Sequence, residues 1–464
     1  MRPTATKRFT MLSAAFGSIT GLWLGVPVLA YAQSLPNLSV NVNTNGNVHI
    51  TWTVPTVGSI LQQSSSLGST SAWQASMLNV ITNGCSCQVL VPPTNSARFY
   101  RLASTYPPPI GLYLGAPTQL LTPHQMGMTD VPDMHTAILQ QSNTFRLWIA
   151  GRFENDSVDG ATGLLLTTNF VDFSSGYSPG TTNVVPVFVP SSRGGNYDAA
   201  TATNFDAQYA GADLVWTATN GTDLLMLYHA ATPYYGTSTN AGYSWSSVGL
   251  VQSMDQGITW TNRQQILSGS DPKPDASPTA PGIYGIVEPG AIIASNYIYA
   301  YYAFFPTNTA DSPAIQVARS AVTNDGAPGT WFKYYTNAFN SPGLLGQGSQ
   351  IVPTVCGCTR NAQPWPVFST YLNAYVLVVI ANEGWFFSTS TDLVTWSSPT
   401  QFFTAPNNEF TPALPVDENV ILVTPGNPVQ IIGQTGIVLY AHSPAWQGVS
   451  HELWSRPFAF TKNP

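Results

Sequence analysis

The amino-acid sequence predicts an all-β protein in which a small N-terminal β-sandwich precedes a five-bladed β-propeller. Two observations lead to this prediction. Short runs rich in Val, Ile, Tyr, Phe and Trp recur between clusters of Gly, Asn and Pro, whereas amphipathic 3.6-residue periodicity is almost absent. After residue 111 an aromatic-rich segment occurs five times, roughly 70 to 80 residues apart, which indicates a repeat architecture of four-stranded blades.

Residues 1–32 have the features of a secretory signal peptide. Three basic residues precede an apolar run that ends in Ala30-Tyr31-Ala32, a small-residue cleavage pattern. An uncleaved membrane anchor is the alternative, and Pro27 together with the small-residue ending favours cleavage. We therefore expect a secreted, extracellular or periplasmic protein without membrane association once the segment is removed.

The composition narrows the range of partners. Charged residues make up 8% of the chain, against roughly 25% in ordinary soluble domains. Removal of residues 1–32 takes away three positive charges and no negative one, so the formal net charge changes from −7 to −10. A mildly acidic chain has no basic surface for nucleic acid. We expect a monomer whose partner is a polysaccharide or oligosaccharide.

The four cysteines form two Cys-x-Cys pairs, Cys85 with Cys87 and Cys356 with Cys358. Export favours disulfides, and three connectivities are open. A bridge across one intervening residue is strained, which favours two links between the early and the late pair. A four-thiolate zinc site is the alternative, which an oxidising compartment disfavours.

The first block of strands spans residues 37–104 and resembles the fibronectin-like sandwiches that are appended to secreted bacterial enzymes. A stiff Pro-rich linker at 105–110 follows, and residues 111–464 form the predicted propeller. The candidate strands of the first block are "LSVNV", "VHITW", "CQVLV" and "ARFYRL".

Each predicted blade has an aromatic-rich second strand, and a third strand that leads into a polar turn closed by Trp or Phe. The second strands are "TFRLWIAG", "DLLMLYHA", "YIYAYYAF", "AYVLVVIA" and "GIVLYAHS". The turns after the first four are "TTNFVDF", "SMDQGITW", "SAVTNDGAPGTW" and "STDLVTW".

The turn "SMDQGITW" fits S-x-D-x-G-x-T-W and resembles the Asp-box of sialidases and other propellers. We interpret it as a folding device: Asp255 accepts N–H bonds within the turn, Gly257 allows a positive φ and Trp260 packs between sheets. A sialidase would also need arginines that converge on a substrate carboxylate. The arginines show no such arrangement by spacing, so the sialidase interpretation ranks low; they are Arg146, Arg152, Arg193, Arg263, Arg319 and Arg360.

Three consecutive predicted blades begin with a carboxylate, and carboxylates are scarce in this chain. Asp133, Asp213 and Glu288 each lie about nine to twelve residues before the second strand of their blade. The innermost strands of a propeller converge on its axis, so the three side chains are candidates for one site. Asp130 is an alternative to Asp133.

The stretches "PDMHTAI", "GADLVW" and "VEPGAII" resemble the inner strands of five-bladed glycoside hydrolases of the arabinanase and β-xylosidase type. The resemblance implies that Glu288 is the general acid, that Asp133 is the general base, and that Asp213 raises the pKa of Glu288 and orients it. It also implies inversion of configuration. "GADLVW" departs most from the family pattern, which makes Asp213 the weakest match.

Four further residues are candidates for sugar contact: the aromatic rings that could stack on a sugar and the histidines near the carboxylates, namely Trp365, Trp216, His135 and His229. No cluster has metal-ligand spacing, so we expect no cofactor, although some arabinanase-type propellers hold a calcium ion on the axis. The sequence thus favours a secreted glycoside hydrolase that acts on plant or microbial polysaccharide. The alternatives are a carbohydrate-binding propeller without catalysis and a cell-surface interaction protein.

Overall fold

A computed structural model describes residues 38–462 of the chain with gaps. The ranges left out are 43–47, 54–58, 67–72, 84–85, 93–97, 105–109, 155–159, 178–179, 192–203, 234–242, 274–281, 308–312, 356–360, 382–383, 405–415 and 445–450. The predicted signal peptide, most of the predicted linker, and Cys85, Cys356 and Cys358 therefore lie outside the described residues. The disulfide pairing and the cleavage remain predictions.

The N-terminal part consists of two antiparallel sheets that share one apolar core. The sheets have the strand orders β1-β2-β6-β5 and β4-β3-β7. Ile50 and Val89 from the first sheet meet Leu61 and Leu102 from the second, as in a sandwich. The strands are β1 Ser39–Val42, β2 Val48–Thr53, β3 Ser59–Ser64, β4 Gln74–Ala75, β5 Ile81–Asn83, β6 Ser86–Val91 and β7 Phe99–Ser104.

The remaining strands form five blades with antiparallel pairing inside each blade. Blades two and three join into one nine-stranded sheet, because residues 243–246 of blade two pair in parallel with residues 282–285 of blade three. Two strands, β8 Ile110–Leu114 and β9 Thr118–Leu121, precede blade one. Blade one contains β10 Met128–Asp130, β11 Ala137–Gln141, β12 Thr144–Phe153, β13 Ala161–Thr167, β14 Phe173–Ser175 and β15 Pro186–Phe188. Blade two contains β16 Tyr209–Thr217, β17 Leu224–Pro233, β18 Tyr243–Ser253 and β19 Thr261–Leu267.

Blade three contains β20 Gly282–Ala294, β21 Tyr297–Phe305, β22 Ala314–Ala321, β23 Phe332–Tyr335 and β24 Ala338–Pro342. Blade four contains β25 Ala362–Ser369, β26 Ala374–Ala381, β27 Gly384–Ser390 and β28 Thr400–Thr404. Blade five contains β29 Val416–Val423, β31 Thr435–Ser443 and β32 Glu452–Lys462, and the short strand β30 Ile431–Ile432 pairs with β25. The helices of the described residues are two short 3-10 turns, His124–Met126 and Val322–Asn324.

The fold prediction is confirmed: the chain is almost entirely β, and all five predicted aromatic-rich segments are the second strands β12, β17, β21, β26 and β31 of their blades. None of the described segments forms a helix with the length and apolar character that crossing a bilayer requires.

The ring of blades is closed by strands from both ends of the propeller. The last strand, β32, pairs antiparallel with β8 and β9, which come from the beginning of the propeller. Blade five also contacts blade one directly, since Asn419 Nδ2 donates to the Pro132 carbonyl over 3.5 Å. The apolar core is continuous across this junction, with Ile138 and Leu147 of blade one beside Ile421 and Leu439 of blade five.

The Asp-box turn has the folding role that the sequence indicates. The Asp255 carboxylate accepts bonds from the Thr259 N–H over 2.8 Å and from the Thr259 hydroxyl over 2.6 Å. Gly257 has a φ of +83°, and its carbonyl accepts bonds from the indoles of Trp260 and Trp148, each over 3.1 Å. The turn therefore fastens the outer part of blade two to blade one.

We predict that Gly257→Ala destabilises the fold more than Gly221→Ala does. Both glycines have a positive φ, +83° and +77° respectively. A Cβ at Gly257 would lie 2.3 Å from Trp148 Cζ2, whereas nothing lies within 4 Å of one at Gly221. Gly221→Ala should lower the free energy of unfolding by about 1 kcal/mol, and Gly257→Ala by about 2 kcal/mol more. Equal losses in urea denaturation would contradict the packing role of the turn.

Candidate active site

The first long strand of blades two to five is interrupted by a β-bulge at a corresponding place. The bulges contain Asp213 in β16, Glu288 in β20, Gln363 in β25 and Asn419 in β29. A bulge adds a residue that has no ladder partner and turns it away from the sheet. Glu288, Gln363 and Asn419 also share a positive φ of +46°, +51° and +56°. Blades three to five thus present a polar residue in the same unusual conformation.

In blade one the corresponding residue is His135. It lies two residues before Ala137, which pairs with Trp148, just as Glu288 lies two residues before Gly290, which pairs with Tyr301. The His135 ring extends away from its own blade: Nδ1 lies 3.4 Å from the Pro289 carbonyl oxygen of blade three.

Hydrogen bonds connect the bulge residues of blades three, four and five. The main-chain N–H of Asn419 donates to Gln363 Oε1 over 2.7 Å, which fixes the orientation of the Gln363 amide. Gln363 Nε2 therefore faces blade three, where it donates to Glu288 Oε1 over 3.1 Å. An N–H donor stabilises the ionised form of a carboxyl group. This chain of hydrogen bonds thus holds the Glu288 carboxyl group by a donor from blade four.

A cluster of ionisable groups joins blade five to blade one, and its member Glu418 is next to Asn419 in the chain. His451 Nδ1 lies 2.7 Å from Asp130 Oδ1, and His451 Nε2 lies 2.8 Å from Glu418 Oε1. Both ring nitrogens face a carboxylate, so His451 is an imidazolium. Although burial opposes it, bonds to Asp130 and Glu418 raise the pKa of His451 well above 6.5. The same contact lowers the pKa of Asp130, again against the effect of burial.

Asp133 lies next to this cluster but does not share the proton donors of His451. Its carboxyl oxygens are within 4.8 Å of the ligand atoms of Asp130 and His451. Burial, and after it the negative charge of Asp130, raise the pKa of Asp133 to about 8. At neutral pH Asp133 therefore holds a proton, whereas the resemblance implies that it is the ionised base.

Asp213 is completely buried, and neither of its carboxyl oxygens has a hydrogen-bond partner among the described residues. Burial raises its pKa well above the ordinary value, so this carboxyl group is neutral. The structure places it in the inner strand of blade two, as the sequence predicts, but shows no hydrogen bond from it to Asp133 or Glu288.

The four residues proposed for sugar contact are all interior. His135 and Trp365 are 0% and 1% exposed, and their rings pack against each other with centroids 5.2 Å apart. Burial lowers the pKa of His135 to about 4 and that of His229 to about 3, so both are neutral. Trp216 packs in the apolar core between blades two and three. These rings shape the interior beside the site and are covered by other residues.

Three described arginines have partners on the outer parts of the blades. Arg146 donates to the Gln256 carbonyl in the Asp-box turn, Arg263 pairs with Asp206 over 2.5 Å, and Arg319 lies over the Tyr297 ring. These three do not converge on one point. Arg152 lies opposite Asp130 in blade one, and Arg193 and Arg360 lie outside the described residues. The described arginines therefore give no support for sialidase chemistry.

One group of described residues has the spacing of a metal site: Asp130, Asp133 and His451. Oxygen ligands suit calcium, but imidazole nitrogen is foreign to ordinary calcium sites. Both nitrogens of His451 already face carboxylates, so neither has a lone pair for a cation. The group does not fit the calcium ion that the resemblance allows, and the positive charge here belongs to His451.

The sequence analysis did not identify Gln363, Asn419, Glu418, His451 or Tyr209. A partial signal existed for Gln363, because "EPG" at 288–290 and "QPW" at 363–365 both place a polar residue before Pro in an apolar inner strand. No local pattern marks His451, which is 321 residues from Asp130 in the sequence.

No protein-family model and no curated protein matches this sequence. Similar solved structures include the catalytic domain of a GH62 α-L-arabinofuranosidase from Coprinopsis cinerea, with 11% identity over 75% of this chain and 97% of that one, at a TM-score of 0.41. A xylan β-1,4-xylosidase from Bacillus halodurans has 10% identity over 72% of this chain and 53% of its own, at 0.41. Zg3597, a family 117 glycoside hydrolase from Zobellia galactanivorans, has 8% identity over 76% of this chain and 90% of its own, at a TM-score of 0.44.

We predict a pH-dependent loss of stability for His451→Gln. The pKa of His451 is higher in the folded protein than in the unfolded chain, so its protonation stabilises the fold fully below the unfolded-state pKa of 6.5. This contribution disappears as the pH rises through the folded-state pKa. Asp130 has a lowered pKa in the folded protein, so its contribution to stability is lost only when the pH falls below the unfolded-state pKa of 3.8. The free-energy difference from wild type should therefore be largest between about pH 4 and 6.5, about 3 kcal/mol, and shrink above that range.

The matched control is His124→Gln, which removes a surface contact of 2.7 Å with Glu154. This variant should unfold like the wild type at every pH, because exposed pairs contribute little. Urea denaturation from pH 4.5 to 9 measures both differences. A His451→Gln difference that stays constant or grows with pH would contradict the imidazolium assignment.

Proposed function

We propose that the protein is a glycoside hydrolase whose working carboxyl groups are Asp133 and Glu288. The observation that carries this proposal is the surroundings of the Tyr209 phenol, which lies within electrostatic reach of Asp133, Asp130 and Glu288 together. Carboxyl groups from blade one and blade three therefore act on the same phenol. Two carboxyl groups in one space, one protonated and one ionised, are what hydrolysis of a glycosidic bond requires.

The electrostatics favour roles that are the reverse of those the resemblance implies. Asp133 holds a proton at neutral pH, which suits a general acid that protonates the leaving oxygen. Glu288 accepts an N–H bond from Gln363, which favours the ionised form that activates water. Asp213 has a raised pKa and no hydrogen-bond partner among the described residues, so it is assigned a structural place rather than a charge effect.

We further propose that the substrate is a plant or microbial polysaccharide met outside the cell by a monomeric enzyme without a cofactor. The signal-peptide pattern of residues 1–32 supports export, and the low content of charged residues suits contact with neutral sugars. Inversion of configuration is retained from the resemblance as an expectation, to be read from the anomer of the first product.

A second candidate function is a carbohydrate-binding propeller without catalysis. The observation that favours it is the filled interior beside the bulges, where His135 and Trp365 are covered and Asp213 is neutral. In that case the hydrogen bonds among Glu288, Gln363 and Asn419 would hold the blades together, and the outer surface would bind glycan.

We predict that the purified protein releases reducing sugar from at least one of a panel of arabinans, xylans, galactans, fructans and β-glucans. Glu288→Gln should lower the rate by at least about a hundredfold, because the water-activating carboxylate is lost. Glu154→Gln, a surface carboxyl 36% exposed, should leave it unchanged. EDTA should not affect the wild-type rate. If the protein releases no reducing sugar from any substrate but is retained on a column of one polysaccharide, the binding function is supported instead.

We predict that kcat falls as the pH rises above about 8, because Asp133 then loses the proton it must donate. An aryl glycoside with a good leaving group needs less protonation, so Asp133→Asn should retain far more activity on it than on a natural glycan. A rate that instead increases through pH 8, with no rescue by the leaving group, would restore Asp133 to the role of base.

A further inference from the structure

Tyr209 bonds to the segment that carries Asp133 and feels the charge of Glu288, and no sequence motif marks it. It begins β16, four residues before Asp213. Its hydroxyl donates to the main-chain carbonyl of Asp133 over 3.3 Å. This bond crosses from blade two to the irregular segment of blade one that carries Asp133, between β10 and β11.

Two glycines hold the Tyr209 ring in place. A Cβ at Gly160 would lie 2.1 Å from Tyr209 Cδ2, and one at Gly211 would lie 2.5 Å from Tyr209 Cε1. The ring thus occupies the space that side chains would fill at both positions, and it packs against the His229 ring with centroids 5.2 Å apart. A clamped ring has little freedom, so the hydroxyl position is fixed before any ligand binds.

The phenol is a permanent hydrogen-bond donor. Burial, followed by the negative charges of Asp133, Asp130 and Glu288, raises the pKa of Tyr209 well above 10. The group therefore keeps its proton over the whole working range and cannot serve as a phenolate nucleophile. Besides its bond to the main-chain carbonyl, the Tyr209 hydroxyl lies close enough to the Asp133 carboxyl group to lower its pKa, against the larger effects of burial and Asp130.

We propose that Tyr209 is a positioning residue for the reaction: its clamped phenol fixes the Asp133 segment so that the acid faces Glu288 across the substrate space. The inference rests on the proposed function for its catalytic meaning. Its structural content, that Tyr209 controls the position and proton affinity of Asp133, holds for the protein without substrate and is tested there as well.

The first test is Tyr209→Phe, which removes one oxygen and keeps the ring. We expect kcat to fall about ten- to a hundredfold with a smaller change in KM, because the acid is displaced from its productive geometry. The pH at which kcat falls on the alkaline side should rise by about half a pH unit to one unit. The reason is that the ionised form of Asp133 loses a hydrogen-bond donor worth about 1 kcal/mol.

Two further variants separate positioning from general stability. Tyr228→Phe removes a buried hydroxyl bond of 3.0 Å to Asp206, which lies in the turn before β16, and should cost stability without a shift of the pH profile. Gly211→Ala keeps the phenol but displaces its ring, and should shift the limb as Tyr209→Phe does. A Tyr209→Phe enzyme with wild-type kcat and pH profile would overturn the proposal.

A measurement without substrate distinguishes this proposal from the proposed function. The Asp133 carboxyl signal in 13C NMR, assigned by its loss in Asp133→Asn, is titrated in wild type and Tyr209→Phe. An upward shift of the midpoint in Tyr209→Phe supports the proposal even if the protein hydrolyses none of the glycans. An unchanged midpoint overturns it even if the glycans are hydrolysed.

Discussion

The central physical constraint of this structure is the grouping of three carboxyl groups, those of Asp130, Asp133 and Glu418, around a single histidine. Asp130 and Glu418 each contact one ring nitrogen of His451, and both contacts require the imidazolium form. Asp133 lies within reach of the same charges but receives neither N–H donor of that ring. Carboxylates that lose water are costly without partners. The two ring nitrogens of His451 lie against Asp130 and Glu418, and the pKa of Asp133 is raised to about 8. The proposed division between an acid and a base follows from this distribution.

The propeller supplies the geometry that makes this distribution possible. Asp130 and His451 come from the beginning and the end of the propeller, and they meet because β32 pairs with β8 and β9 to close the ring. The bulges of the inner strands then place Glu288 and Gln363 in a left-handed conformation that costs on the order of 1 kcal/mol per residue. Hydrogen bonds between neighbouring blades offset that cost: Asn419 donates to Gln363, and Gln363 donates to Glu288. The packing of the blades and these bonds therefore stabilise each other.

The parts of the fold that depend on local sequence could be predicted. The second strands are long apolar runs in the middle of each blade. The Asp-box is a turn whose shape is set by bonds among residues 253–260, to which Trp148 and Arg146 add bonds from blade one. Strand type and turn chemistry are set by neighbours in the chain, so their patterns are visible without tertiary information.

The site could be predicted only in part, because the axial residues depend on register between strands. Asp133 and Glu288 have similar distances in sequence to their second strands, yet the pairing makes His135 the counterpart of Glu288. The segment between β10 and β11 leaves the ladder, which a sequence spacing does not reveal. Trp365 shows the same limit: the sequence made it a candidate for stacking on a sugar, whereas packing against His135 covers it.

The most direct test of the central claim is a double-mutant cycle of Asp133→Asn and Glu288→Gln, read as kcat/KM on the best glycan of the panel. Two carboxyl groups that act on one bond form a unit, so the double variant should be hardly slower than the slower single variant. Losses that multiply across the two positions, or a single variant with wild-type activity, would contradict the account.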